Sequence, residues 1–144
     1  MLVIGLDIGT KRIGVAKWST DSPIVKPVEL IEVERPIHAL NRIETIVKSL
    51  SAEHIILGYP LMPNGKPGAL AHIVDKWKSK LEQSLNCPVD LWDERMTSKQ
   101  AERDLSLLGI NTKTQKKLVD IAAAMRILEG WTLSSHNPYM EPSQ

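Results

Sequence analysis

The feature that most constrains this chain is its opening run, Val3-Ile4-Gly5-Leu6-Asp7-Ile8, apolar on both faces and carrying a single carboxylate near its end. A strand of this kind belongs in the middle of a sheet that is covered on both sides, so the chain must supply helices for two layers. A lone buried carboxylate is costly unless it is hydrogen-bonded, paired or bound to a cation. Asp7 is therefore either a cap on the turn at Gly9-Thr10 or part of a site at the strand's end.

The remaining elements follow from periodicity and punctuation. Gly9-Thr10-Lys11 turns into a second strand, Arg12 to Trp18, and Val28 to Val33 alternates apolar and acidic residues as a half-exposed third. These three read as an antiparallel meander. Pro36 suits the first turn of a helix on which Ile37, Leu40, Ile43, Val47 and Leu50 keep helical spacing. His54 to Gly58 is a short buried strand, and Tyr59 to Gly68, with three Pro and two Gly, is a loop. Leu70, Ile73, Val74, Trp77, Leu81 and Leu85 mark a second helix, and Val89 to Asp93 a fifth strand. Thr97 with Gln100, and Thr112 with Gln115, are capping boxes; the first opens a helix that Gly109 closes, the second a last helix reaching Trp131.

The order β-β-β-α-β-α-β-α-α predicts an α/β fold with a mixed five-stranded sheet and helices on both faces. Strands 1, 4 and 5, joined by helical crossovers, run parallel. A chain of 144 residues suits one domain and buries about 70% of its unfolded surface, so it needs no disulfide to fold. We expect that domain over 1–133, with 134–144 as a flexible tail.

The lone Cys87 cannot form an internal disulfide, which suits a reducing compartment. No apolar stretch approaches the ~20 residues of a membrane span. The chain opens directly on a strand-like run with no leader-like segment, and a cytoplasmic location is expected. The net charge of +1 rules out a globally basic surface, so any affinity for nucleic acid must come from local clusters.

Three acidic positions sit in surroundings that do not suit a charge. Asp7 is the first. Asp120 is the only charge between Lys117 and Arg126, and the alanines at 122–124 let its helix approach another element closely. Asp93 and Glu94 end the fifth strand, where neighbours point to opposite faces and only one can join a site. The plainer alternatives are a wet stripe on the helix and a solvated strand end. Three converging carboxylates would raise one another's pKa unless a divalent cation held them. Oxygen ligands alone favour Mg²⁺ or Mn²⁺ over zinc, and His38, His54, His72 and His136 show no metal-ligand spacing. Cations flank each acidic candidate: Lys11-Arg12 after Asp7, Arg95, Lys99 and Arg103 after Glu94, and Lys113, Lys116 and Lys117 before Asp120. Lys66 lies in the long loop. Each cluster could be an ordinary solvated surface, yet each is also suited to phosphates.

Four stretches, in order, resemble the YqgF/RuvX family of RNase H-like nucleases. Gly5-Leu6-Asp7-Ile8-Gly9-Thr10-Lys11-Arg12-Ile13-Gly14-Val15-Ala16 is similar to its opening motif. Gly58-Tyr59-Pro60-Leu61 through Asn64-Gly65 resembles its Gly-Leu-Pro loop, with Tyr59 in place of the usual Leu. Asp93-Glu94-Arg95-Met96-Thr97 resembles its Asp-Glu-Arg-Leu-Thr motif, and Lys117 to Ala123 its last helix. The resemblance implies an RNase H-like fold with strand order 3-2-1-4-5 and a metal-dependent nuclease whose acidic site is Asp7, Glu94 and Asp120. It implies Glu94 rather than Asp93 as the working member of the pair. Two substrates are implied, the 5′ end of pre-16S ribosomal RNA and branched DNA junctions.

The chemistry expected is phosphodiester hydrolysis on two Mg²⁺ about 4 Å apart, with Asp7 bridging them and Glu94 and Asp120 to either side. Lys11, Arg12, Lys66, Arg95, Lys99 and Lys117 are expected to hold the backbone, and the chain to act as a monomer or weak homodimer. A sugar-kinase or actin-like ATPase, suggested by Asp7-Ile8-Gly9-Thr10, needs two such lobes, and this chain has room for one. A non-catalytic nucleic-acid-binding module is the rival from another class.

Overall fold

The computed structural model describes residues 1–94 and 112–139, the side chains at 112–118 and 120 excepted. Five strands, β1 (Leu2–Ile8), β2 (Arg12–Ser19), β3 (Lys26–Glu32), β4 (His54–Tyr59) and β5 (Val89–Asp93), form one sheet in the order β3-β2-β1-β4-β5. Among the described residues three helices accompany it: α1 (Pro36–Leu50), α2 (Ala69–Ser84) and α3 (Thr112–Thr132). The meander β1-β2-β3 is antiparallel, and β4 and β5 join β1 in parallel after the α1 and α2 crossovers. The helix expected between Thr97 and Gly109 lies outside the described residues.

The double-sided apolar pattern of β1 divides between two layers. Ile4, Leu6 and Ile8 face α1 and α2 with Ile13, Leu57, Val74 and Leu81. Val3 faces the other way, with Trp18, Ile56, Ala124, Ile127, Leu128 and Trp131. On that second side α3 lies close to the sheet because Gly5 has no side chain. A Cβ there would stand 3.0 Å from Leu128 Cβ and 3.3 Å from the Ala124 carbonyl oxygen.

α3 also has a direction. Ile127 meets Gly58 near the end of β4, while the Trp131 ring sits 5.3 Å from His54 at its start. The helix therefore runs antiparallel to β4 and β1, and its N-terminal half points toward the ends of those strands.

The tail expected from Ser134 is, as far as Tyr139, part of the fold. Asn137 is buried, its amide donating to the Thr132 carbonyl at 2.9 Å, and the Tyr139 hydroxyl lies 2.8 Å from His54 Nδ1. The other ring nitrogen of His54 is 2.6 Å from Asp90. A histidine buried at the start of a strand needs partners for both nitrogens, and residue 139 supplies one of them. Sequence reading missed this because the partners are 36 and 85 positions away. β3 also begins at Lys26 rather than Val28, its pairing with β2 passing a bulge at Val15/Ala16.

Candidate active site

The strand register settles which side chains share a face. Gly58 pairs with Trp92 and Tyr59 with Asp93, so Trp92 shares the α3 face with Gly58, and Asp93 the opposite one. Glu94 follows on the α3 side, where its Oε1 would be 2.6 Å and its Cγ 3.0 Å from a Cβ on Gly58. Gly58 is thus the floor on which the Glu94 side chain rests, and any larger residue would occupy its place. Asp7 lies on the same face, two residues beyond Gly5 on β1.

The two carboxyls meet. Glu94 is half-buried and its pKa is pushed up from the ordinary 4.5 to about 8, by burial first, then by the charge of Asp7 and a hydrogen bond with it, and last by Asp93. The two carboxyls therefore hold a proton between them more tightly than separate carboxyls would. Such a pair keeps one negative charge where its oxygens could hold two, and a cation that supplies the balancing charge takes the proton's place.

Asp120 belongs to α3, one turn before Ala124. Its side chain lies outside the described residues. One turn back along the helix from Ala124 is ~6 Å, and two residues on from Gly5 along β1 is ~6.6 Å. Since the two elements run antiparallel and Gly5 faces both Leu128 and Ala124, α3 runs back from that contact toward position 120 in the direction in which β1 runs on to Asp7. Among the described residues no three metal-ligating side chains form a cluster, and the acidic pair is Asp7 with Glu94.

The basic candidates divide. Lys11 is exposed in the β1–β2 turn, closed by the Gly9 N–H donating to the Arg12 carbonyl at 2.9 Å. Arg12 opens β2 on the Asp7 side of the sheet, two residues from Gly14, the partner of Asp7. Lys66 is exposed on the loop that follows β4. Arg95 and Lys99, and the side chain of Lys117, lie outside the described residues. Sequence reasoning missed the supporting role of Gly58, whose signal was a glycine ending an otherwise apolar strand.

The family pattern of RuvX, described as Holliday junction resolvase, matches residues 1–134. The chain belongs to the RuvX family. A protein of Chloroflexus aggregans named "Putative pre-16S rRNA nuclease" is 34% identical over 137 residues, 95% of this chain and 96% of that one. A relative of the same name from Caldanaerobacter subterraneus is 38% identical over 139 residues, covering 95% and 99%. Among solved structures, RuvC of T. thermophilus in complex with Holliday junction substrate superposes with a TM-score of 0.57 at 11% identity, covering 94% of this chain and 98% of that one. The fowlpox virus Holliday junction resolvase gives 0.55 at 18%, covering 92% and 97%. At these identities the two structures establish a common fold, the RNase H-like one.

The protonated pair has a consequence for stability. Glu94 binds its proton more tightly folded, near pH 8, than unfolded, near 4.5. Its contribution is therefore complete below about pH 4.5 and is lost as pH rises through 8. In EDTA the melting temperature should fall across that window, and Glu94→Gln should flatten the fall. Equal slopes for the two proteins, followed by calorimetry, would show that the carboxyls are not coupled.

Proposed function

We propose that the chain is a divalent-cation-dependent nuclease that hydrolyses phosphodiester bonds, with 5′-end processing of pre-16S ribosomal RNA in the cytoplasm as its task. The observation that supports this reading best is the Asp7–Glu94 pair, set at the open ends of two parallel strands with a proton standing in for a cation. The relatives' name supplies the RNA.

The donor set fits the group that the family implies. Carboxylate oxygens suit Mg²⁺ or Mn²⁺, and among the described residues neither the cysteine nor a histidine sits with the pair. Asp7 and Glu94 would hold the ion, with Asp120 joining them from α3. When bound, such an ion makes a nucleophile of water at neutral pH and offsets charge on the leaving oxygen.

The chain's own residues do the remainder. Gly58 keeps the Glu94 carboxyl against Asp7, so the acidic pair is in place before the substrate arrives. Lys11 and Arg12, beside the end of β1, hold the phosphates on one side of the scissile bond. Lys66, Arg95, Lys99 and Lys117 are the further cations assigned to the phosphates. Backbone contacts of this kind fix position without reading sequence.

The family description and the fold support a second substrate, the four-way DNA junction. Incubating the protein with a pre-16S 5′ leader RNA and a four-way junction, each with Mg²⁺ and with EDTA, decides between them. Mg²⁺-dependent cleavage of the RNA at least ten-fold faster than of the junction is expected. The reverse ratio moves the assignment to DNA, and cleavage of neither leaves a binding module.

A further inference from the structure

The loop after β4 is a built element. Leu61 and Pro67 bridge as a short antiparallel pair, and the Met62 N–H donates to the Lys66 carbonyl at 2.9 Å. The Gly65 N–H donates to the Met62 carbonyl at 2.8 Å, and the Lys66 N–H to Asn64 Oδ1 at 2.9 Å. Gly65 takes a φ of 82°, which a side chain would oppose. The result is a closed prong with Asn64-Gly65 at its tip.

Its side chains are unusual for a surface turn. Met62 is 48% exposed, and Leu70, in the first turn of α2, 38%. Single exposed apolar residues are ordinary. Met62, however, is seated: a Cβ on Gly68 would stand 3.3 Å from its Cγ and 3.4 Å from its Sδ, so glycine gives the thioether its resting place. No acidic residue occurs between Tyr59 and Leu70, and Lys66 adds positive charge. The prong also leaves the sheet at the site itself, because Met62 is four residues beyond Gly58. Four residues span at most ~14 Å, about four steps of a stacked strand at ~3.4 Å each.

An apolar knob beside a cation on a loop that itself carries no carboxylate is matched to nucleic acid in one way. The thioether lies against a base face and the ammonium takes a phosphate. A base face is available where stacking ends. We infer that the prong is a wedge that seats Met62 against the terminal base pair of a stem, so that the substrate class is nucleic acid with a duplex end within a few nucleotides of the scissile bond. The inference rests on the nuclease reading and adds to it the feature by which the substrate is chosen.

The test compares a hairpin stem with a single-stranded 5′ extension against an unstructured strand of the same length, each made as RNA and as DNA. The wild type should cleave the stemmed substrate with the higher kcat/KM. Met62→Ala should lower the stemmed-to-unstructured ratio roughly ten-fold, the scale of one lost stacking contact, and Met62→Leu should keep it. In EDTA, 2-aminopurine at the stem's terminal pair should change its fluorescence on adding wild type and not on adding Met62→Ala. An unchanged ratio in Met62→Ala overturns the wedge and leaves the nuclease reading standing. If no substrate is cleaved but the 2-aminopurine response depends on Met62, the wedge stands and the nuclease reading fails. A 2-aminopurine response that ignores Met62 overturns the wedge by itself.

Discussion

Gly58→Ala should leave a folded but less stable protein that has lost at least 100-fold in cleavage rate, the scale set by misplacing a catalytic group by ~1 Å. The new methyl would stand 2.4 Å from Ile127 Cδ1 and 2.6 Å from Glu94 Oε1, so both must move. Ile127 is 1% exposed and has little space to yield, which puts the stability cost at ~1–3 kcal/mol. The two collisions can be separated. Adding Ile127→Val removes the Cδ1 atom and with it the contact inside the core, though the valine itself costs about 0.5–1.5 kcal/mol. The double variant should therefore be no less stable than the sum of the single effects implies, and measurably more so if the clash dominates. Activity should stay low, since the collision with Glu94 remains. Denaturant midpoints and cleavage rates of the three variants check both halves. A Gly58→Ala protein of wild-type activity would show that Glu94 can work from another position.

How far the sequence disclosed this arrangement depended on the range of the interactions. β1 could be read because both its faces are apolar, and β5 because it is bounded by Pro88 and by the acidic pair. The period of two on a strand was enough to place Asp93 and Glu94 on opposite faces, which the pairing of Tyr59 with Asp93 reproduces. The misfit of Asp7 in an apolar run pointed to a partner, and Glu94 is that partner. Contacts between distant segments left no such trace. Asn137 and Tyr139 looked like tail residues because nothing near them is apolar enough to suggest burial, and their partners Thr132 and His54 become visible only when α3 lies on the sheet. Gly58 likewise looked like the end of a strand rather than a seat for Glu94, because a missing side chain has no pattern of its own. Lys66 was legible as a turn lysine from Asn64-Gly65, but the closure of its loop by Leu61 and Pro67 was not.

Glu94→Gln should abolish metal-dependent cleavage, by several orders of magnitude, whereas Asp93→Asn should leave the rate within a few-fold of wild type. The substitutions are isosteric and adjacent, so they differ in which face of the sheet loses a carboxyl. Glutamine at 94 can still accept a hydrogen bond but carries no negative charge for a cation, and the stabilisation of charge at the reacting phosphate goes with it. Asp93 points to the face opposite Asp7, and its influence on Glu94 is the smallest of the contributions that raise it. Asp7→Asn should be as inactive as Glu94→Gln, and the double variant no worse than either, because two carboxylates that shared one ion would act as a unit. Both variants should fold, since each replaces one carboxyl of a crowded pair by an isosteric amide that can keep the hydrogen bond between the two side chains. The decisive measurement is single-turnover cleavage of the pre-16S leader RNA at saturating Mg²⁺ by wild type, Glu94→Gln and Asp93→Asn, with folding checked by circular dichroism. The site described here predicts an inactive, folded Glu94→Gln beside an active Asp93→Asn; an active Glu94→Gln beside an inactive Asp93→Asn would contradict it.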